Sequence, residues 1–425
     1  FVSNLLLFIP LITNSQTAYW WQVGGGVDTT VDAIANYNGQ LATGGSFLHV
    51  DGNLRAANYI AVWTGTQWDT LSSGLDNAAK TLAVFQNHLY VGGNFNNAGG
   101  NPAAKIAMWD GTTWNPVTTG TSSTVNVIYA PDTALYLGGT FGNAGGIAGT
   151  NFIARWNGTA YCPLATGMNN YVSTMMKFNN KLYAGGFFTI AGGVSASKIA
   201  CWNDTAWTAL GTGLNNVPKA MAVFGGDLYV GGSFTNAGGI AASYIAKWNG
   251  TAWSTVGSGV NNTIYAMQVF NGALYVGGTF TTAGGATADK IAKWDGTTWS
   301  SVALGMNANA TSAVYTLDTV GGHLFAGGAF FKASGVPCKH LAILTDTSHV
   351  GIDEFKIENL NALVYPNPME NATTIHLQSC LLKAKVTLLD VLGNEVFSNN
   401  YFGNDFVVER KNFPSGVYYA RIEDV

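Results

Sequence analysis

The sequence predicts an all-β protein: a seven-bladed β-propeller closed by its own N-terminal strand, followed by a small Ig-like β-sandwich. Three observations carry that expectation. The phrase Gly-Gly-x-Phe recurs with its first glycine at 44, 92, 138, 185, 231, 277 and 327, at spacings of 48, 46, 47, 46, 46 and 50 residues. Each copy contains four short apolar-alternating runs separated by Gly and Asn turns, and four strands in about 46 residues, repeated, is the pattern of propeller blades. Finally, a tryptophan marks the third run at 63, 109, 156, 202, 248 and 294, and an aromatic residue marks the fourth at Trp20, Trp68, Trp114, Tyr161, Trp207, Trp253 and Trp299.

One copy shows the anatomy. "YAMQVF" (Tyr265 to Phe270) reads as the innermost strand a, and "ALYVGGTF" (Ala273 to Phe280) contains strand b. A small-residue loop follows, then "KIAKW" as strand c, Asp295-Gly296, and "TTWSSV" with strand d. The fourth-run aromatics number seven but the third-run tryptophans only six, because Leu344 in "HLAILTD" takes the tryptophan place and no "DGTxW" follows it. The unmatched strand d is "AYWWQV" (Ala18 to Val23) at the other end of the chain. Pairing it beside His340–Asp346 closes the ring and removes the free sheet edges of an open array.

The repeated "WDGTTW" phrase invites a catalytic or sugar-binding reading, but six or seven equivalent copies fit a structural brick better. Asp-Gly suits a two-residue hairpin turn, which sets Trp294 opposite Thr297 and Ala292 opposite Trp299. A four-residue loop sets the two tryptophans directly opposite each other. Either register puts Ala292, Trp294 and Trp299 on one face. The small residue recurs as Ala61, Ala107, Ala154, Ala200, Ala246, Ala292 and Ala342, leaving room for two indoles to pack on the next blade.

At the N-terminus, Leu5 to Ile12 is an apolar run too short to span a bilayer. Residues 1–17 read as the remnant of a secretory signal peptide whose basic start is missing. Charged residues make up 10% of the chain and the net charge is −4, so no basic footprint for nucleic acid exists. The four cysteines (Cys162, Cys201, Cys338, Cys380) lack metal-ligand spacing and read as buried thiols. No later stretch reads as a transmembrane helix.

"LYVGG" followed by W-[ND]-G-T-x-W resembles kelch-type repeats of the galactose-oxidase-like superfamily, over about residues 18–347. The phrase F-x-x-AGG-x-x-x-x-x-IA-x-W resembles secreted and surface propellers. The resemblance implies fold and leaves activity open. Residues 348–362 read as a linker. Residues 363–425 resemble the C-terminal sorting domain of the type IX secretion system of Gram-negative bacteria. The residues that carry this are Tyr365, Pro366, Asn367 and Pro368, then Val386 to Val396 as V-x-[LI]-x-D-x-x-G-x-x-V. Phe413 with Gly416, Val417 and Tyr418 completes the match. The family has a further basic strand beyond Val425, so the domain reads as truncated. The resemblance implies the type IX machinery as a partner and delivery outside the outer membrane.

No catalytic, metal or cofactor site is expected. A sialidase-like reading of "WDGTTW" fails on the adjacent Asp and Gly and on the arginines: the propeller holds Arg55 and Arg155 only, where a carboxylate clamp uses three. Copper chemistry of the galactose-oxidase type would draw on His49, His88, His323, His340 or His349, which lie in separate blades and loops. The mouth of the ring remains. The d–a loops carry Asp28, Asp76, Ser122, Asn169, Asn215, Asn261 and Asn307, which can meet a ligand or cap turns. Four residues on, or eight in the last copy, the copies differ: Asp32, Lys80, Asn126, Ser173, Lys219, Tyr265 and Tyr315. Unlike residues at equivalent places are where a repeat protein holds specificity. The expectation is an exported, non-enzymatic module binding glycan or protein there; the rival is a hydrolase or lyase acting on extracellular polysaccharide.

Overall fold

The computed structural model describes residues 2–3, 18–131, 133–306, 311–346, 362–365, 372–389, 395–409 and 419–424. They divide into two compact units, residues 18–345 and residues 1–17 with 346–425.

The first unit is a seven-bladed propeller in which every blade is a four-stranded antiparallel sheet. Blade 1 runs Val31–Tyr37, Gln40–Gly45, Ile60–Trp63 and Trp68–Thr70 from the inside outwards. The inner strands of blades 2 to 7 are Ala79–Phe85, Val125–Tyr129, Val172–Phe178, Pro218–Phe224, Ile264–Phe270 and Ala313–Val320. In blade 7 the outermost strand is Ala18–Gln22, laid beside Leu341–Asp346, so the N-terminus closes the ring as the repeat count requires. The joint is held by Val23 N–H to Leu341 O (3.3 Å), Trp21 Nε1 to Thr345 Oγ1 (2.8 Å) and Thr345 Oγ1 to Tyr19 O (3.1 Å).

The glycine pairs explain how blades meet. A Cβ on Gly277 would come 2.4 Å from Val314 Cγ1 of the next blade, and one on Gly327 would come 2.5 Å from Val31 Cγ1 across the closure. The phenylalanine of each repeat fills the space behind: Phe47, Phe95, Phe141, Phe188, Phe234, Phe280 and Phe330 are all fully buried. The repeated alanine of strand c is buried to the same degree in all seven blades.

The "WDGTTW" turn is a four-residue loop, since Trp294 pairs directly with Trp299 and Trp109 with Trp114. The two-residue turn is thereby corrected. Asp295 Oδ1 accepts the N–H groups of Thr297 and Thr298, both at 2.7 Å, and the two threonine hydroxyls close on the same carboxylate. These donors hold the Asp295 carboxyl well below the usual carboxylate range. The clasp engages both oxygens within the turn itself, as a structural brick does. Its indoles sit 5.2 Å apart centre to centre.

In the second unit, Ala372–Leu389 is the central strand of a five-stranded antiparallel sheet. It pairs with Ala362–Tyr365, Glu395–Glu409 and Tyr419–Asp424, and Val2–Ser3 adds to the edge of the last. Ile375, Val386, Leu388, Phe406 and Val408 are buried. The expected sandwich is thus represented by one sheet among the described residues. Residues 348–361 of the expected linker 348–362 lie outside them, whereas Ala362 already begins a strand; Pro366, Asn367, Pro368, Gly393, Phe413, Gly416, Val417, Tyr418 and the apolar run Leu5–Ile12 lie outside them too. Of the cysteines, Cys201 and Cys338 are buried free thiols, whereas Cys162 is only half-buried.

Candidate functional site at the ring mouth

The d–a loops and b–c loops share one face, joined by single bridges such as Met168 to Ala191 and Val260 to Ala283. The repeated polar residue of the d–a loop makes this joint. Asn169 Oδ1 accepts the N–H groups of Thr189 and Ile190 at 2.9 and 3.0 Å, and Asn261 does the same for Thr281 and Thr282. Asp28, Asp76, Ser122 and Asn215 repeat the contact in their blades. These residues clip the b–c hairpin, twenty residues away, rather than a turn of their own. Asn307 lies outside the described residues.

The seven variable positions have a different origin. Each inner strand slips register one residue after its start, between Val31 and Ala33 in blade 1 and at the equivalent place in the others. Asp32, Lys80, Asn126, Ser173, Lys219, Tyr265 and Tyr315 are the extra, bulged residues. A bulge re-aims the side chain that it inserts, and here it does so once per blade around the central channel. The second glycine of each pair makes room for the bulge: a Cβ on Gly278 would stand 2.1 Å from Thr263 O.

The bulged side chains meet their neighbours around the ring. Lys80 Nζ lies 2.7 Å from Asp32 Oδ2. Burial raises the Asp32 pKa and the lysine partly offsets that. Ser173 Oγ donates to Pro218 O at 2.6 Å, and Asn126 Nδ2 reaches Val172 O at 3.5 Å. Tyr265 and Tyr315 form an edge-to-face pair at 5.3 Å. The Tyr315 phenol is pushed up by burial first, then by Tyr265 and Asp32 across the closure. Burial lowers the Lys219 pKa. Among the described residues, Lys219 forms no ion pair.

Beyond this ring lies a cavity of about 580 Å³, lined by all seven inner strands. Tyr265 and Tyr315 bound it, and Tyr129, Gln268 and Asp318 lie further in. Burial pushes the Asp318 carboxyl up to about 6, against hydrogen bonds from the backbone N–H groups of Thr319 and Asn36. Asp318 is visible in the sequence only as a departure from the repeat, since the other six blades carry Ala35, Ala83, Tyr129, Met176, Ala222 and Gln268 at that place.

The histidines do not gather at one place. His49 is paired with Asp28 at 2.8 Å, and His340 is buried with Nδ1 3.2 Å from Gly328 O. His349 lies outside the described residues. Among the described residues no group of three or more His, Cys, Asp or Glu side chains is gathered in metal-binding geometry. No helix among them is long and apolar enough to cross a membrane.

Comparison with known proteins falls into two parts. Residues 363–425 match the secretion system C-terminal sorting domain family. The chain is thus a β-propeller protein carrying a type IX sorting tail, exported to the cell surface or the extracellular space. No curated protein matches the chain. Among solved structures it is similar to PorZ, a surface component of the type IX secretion system of Porphyromonas gingivalis, at 15% identity and TM-score 0.47, covering 95% of this chain and 58% of that one. It is also similar to the computationally designed Ika8 protein (14%, TM-score 0.45, 75% and 96% covered). A fungal alcohol oxidase of the AA5 family, solved with copper, is similar at 11% identity and TM-score 0.39, covering 98% and 90%.

Proposed function

We propose that this exported propeller is a binding module whose ligand, a glycan or a protein, docks on the d–a face at the ring mouth. One observation carries the reading. The blades repeat one another closely, yet the seven residues that the bulges turn into the channel are of five kinds: Asp, Lys, Asn, Ser and Tyr. A ring that served only to pad the axis would gain nothing from mixing an ion pair, two phenols and an unpaired lysine. Hydroxyl, amide and aromatic groups together suit recognition of a polar ligand through hydrogen bonds and ring contacts. The pairing of Asp32, the one acid among the seven bulged residues, with Lys80 supports a non-catalytic reading.

The rival, a polysaccharide hydrolase or lyase, rests on Asp318, a carboxyl held near 6 inside the cavity and suited to proton donation. A glycan and protein array probed with the full chain, beside a turnover assay on the same polysaccharides, separates the two. Retained ligand without product supports the module. Product formation lost in Asp318→Asn or Asp32→Asn replaces it with the enzyme.

A further inference from the structure

Blade 4 breaks the repeat at two places that face each other on the mouth side. Two residues before the bulge, six blades carry Thr30, Ala78, Thr124, Val217, Thr263 and Ala313, and blade 4 carries Tyr171. At the third position of Gly-Gly-x-Phe, six blades carry Ser46, Asn94, Thr140, Ser233, Thr279 and Ala329, and blade 4 carries Phe187. The two rings stack, with centres 5.8 Å apart and planes within 10° of parallel. The Phe187 N–H donates to Tyr171 O at 2.9 Å, which fixes the pair on the backbone. Phe187 is nevertheless 44% exposed.

Each ring also carries an ammonium group. Lys198 Nζ lies 4.0 Å from the centre of Phe187, and Lys219 Nζ lies 6.0 Å from the centre of Tyr171. Lys198 donates to Phe187 O at 3.0 Å, as Lys290 does to Thr279 O in its own blade, so the backbone contact is common to the repeat and the ring contact is not. Among the described residues neither Lys198 nor Lys219 has a carboxylate partner, while Lys80 and Lys247 do.

We propose that Tyr171, Phe187, Lys198 and Lys219 form a subsite for the acidic sugar units of an anionic polysaccharide. The inference rests on the mouth-binding reading and narrows it to one ligand class. A pyranose presents C–H groups to the aromatic row while its carboxylate meets an ammonium group. The row is pre-set by backbone contacts, so little order is lost on binding. Lys219 is held half-buried without a counter-charge, and a bound carboxylate relieves that cost. The polar groups of the ring continue from this end, beginning with Ser173, two residues on from Tyr171.

The test is titration calorimetry of the full chain with an oligogalacturonate, its carboxyl-reduced counterpart and a polyglutamate peptide, at low and high salt. Phe187→Ser with Tyr171→Thr installs the residues of blade 1, so the fold is retained and an unchanged melting temperature confirms it. Lys219→Gln is a second variant, and Lys332→Gln on the blade 7 hairpin is the control. The expected result is oligogalacturonate binding that weakens with salt and falls about tenfold or more on carboxyl reduction and in both variants, a loss of roughly 1.4 kcal/mol, with the control unchanged. Oligogalacturonate that fails to bind, or binds both variants as it binds the parent, overturns the proposal. So does polyglutamate binding with the same variant dependence in place of the sugar. If a neutral glycan or a protein binds the ring instead, the acidic subsite falls and the mouth reading stands.

Discussion

The indole N–H of Trp207 donates to the carbonyl oxygen of Leu164, 3.0 Å away in the preceding blade. Trp114 to Leu71 (2.9 Å), Trp253 to Leu210 (3.2 Å) and Trp299 to Val256 (3.1 Å) repeat it, and Tyr161 reaches Val117 through its hydroxyl at 3.2 Å. The outer aromatic is therefore a staple between blades as well as a packing anchor. Trp207→Ala is expected to cost about 3–5 kcal/mol, read as a fall in the denaturation midpoint. Trp207→Phe keeps most of the apolar contact and should cost far less, about 1–2 kcal/mol for the orphaned carbonyl. Equal losses in the two variants would contradict the staple.

The seam between blades 7 and 1 lacks this device. Trp68, the outer aromatic of blade 1, is buried with an indole nitrogen that finds no partner, as is Trp20 at the seam between blades 6 and 7. Closure rests instead on strand Ala18–Gln22 and the packing of Gly327 on Val31. Removing residues 1–24 exposes the edge of Leu341–Asp346 and deletes Trp20, so a large loss of stability is expected. In the intact protein, hydrogen exchange should open first along this seam. Uniform protection of all seven blade junctions would be the contrary result.

Much of this was legible in the sequence because one unit is written seven times. The GG-x-F glycines, the strand c alanine and the paired aromatics point to the blade and to its count, and the missing "DGTxW" after Leu344 points to closure by Ala18–Val23. What stayed hidden depends on single-residue geometry. A one-residue bulge leaves the alternation of "YAMQVF" intact, so Tyr265 gives no sign of being the inserted residue. The Asp295 clasp favours a four-residue loop, whereas the Asp-Gly pair alone suggests two. The Tyr171–Phe187 stack is visible only as a departure from the repeat, and its two halves lie sixteen residues apart in sequence.

Asp318 sets a pH dependence. Its folded pKa, about 6, lies above the ordinary carboxylate value of 3.8. The unfolded chain therefore releases this proton first, and the protonated form favours the folded state. The contribution is complete below about pH 4 and disappears as pH rises through 6. Asp318→Asn removes this dependence and should raise stability at neutral pH by about 2 kcal/mol, somewhat less than two pKa units imply because water reaches the cavity. Denaturation midpoints of both proteins between pH 4 and 7 check it, and parallel curves would refute it.

The tail should be necessary for export. In a host with a type IX system, deletion of residues 363–425 is expected to leave the protein in the periplasm, with the propeller still folded because its edges close within residues 18–345. Fractionation and surface proteolysis report the outcome. Undiminished surface display of the deleted form would contradict the role of the tail.

The location of binding is the central claim, and an exchange footprint addresses it directly. Hydrogen–deuterium exchange is measured on the full chain, with and without the glycan or protein that binds it most tightly. Protection should appear on the mouth side, at Tyr171–Thr174, Val217–Ala220, Ile264–Ala266 and the start of Ala313–Val320. Protection confined to the opposite face, at the Asp110–Thr113 and Asp295–Thr298 turns, would contradict it.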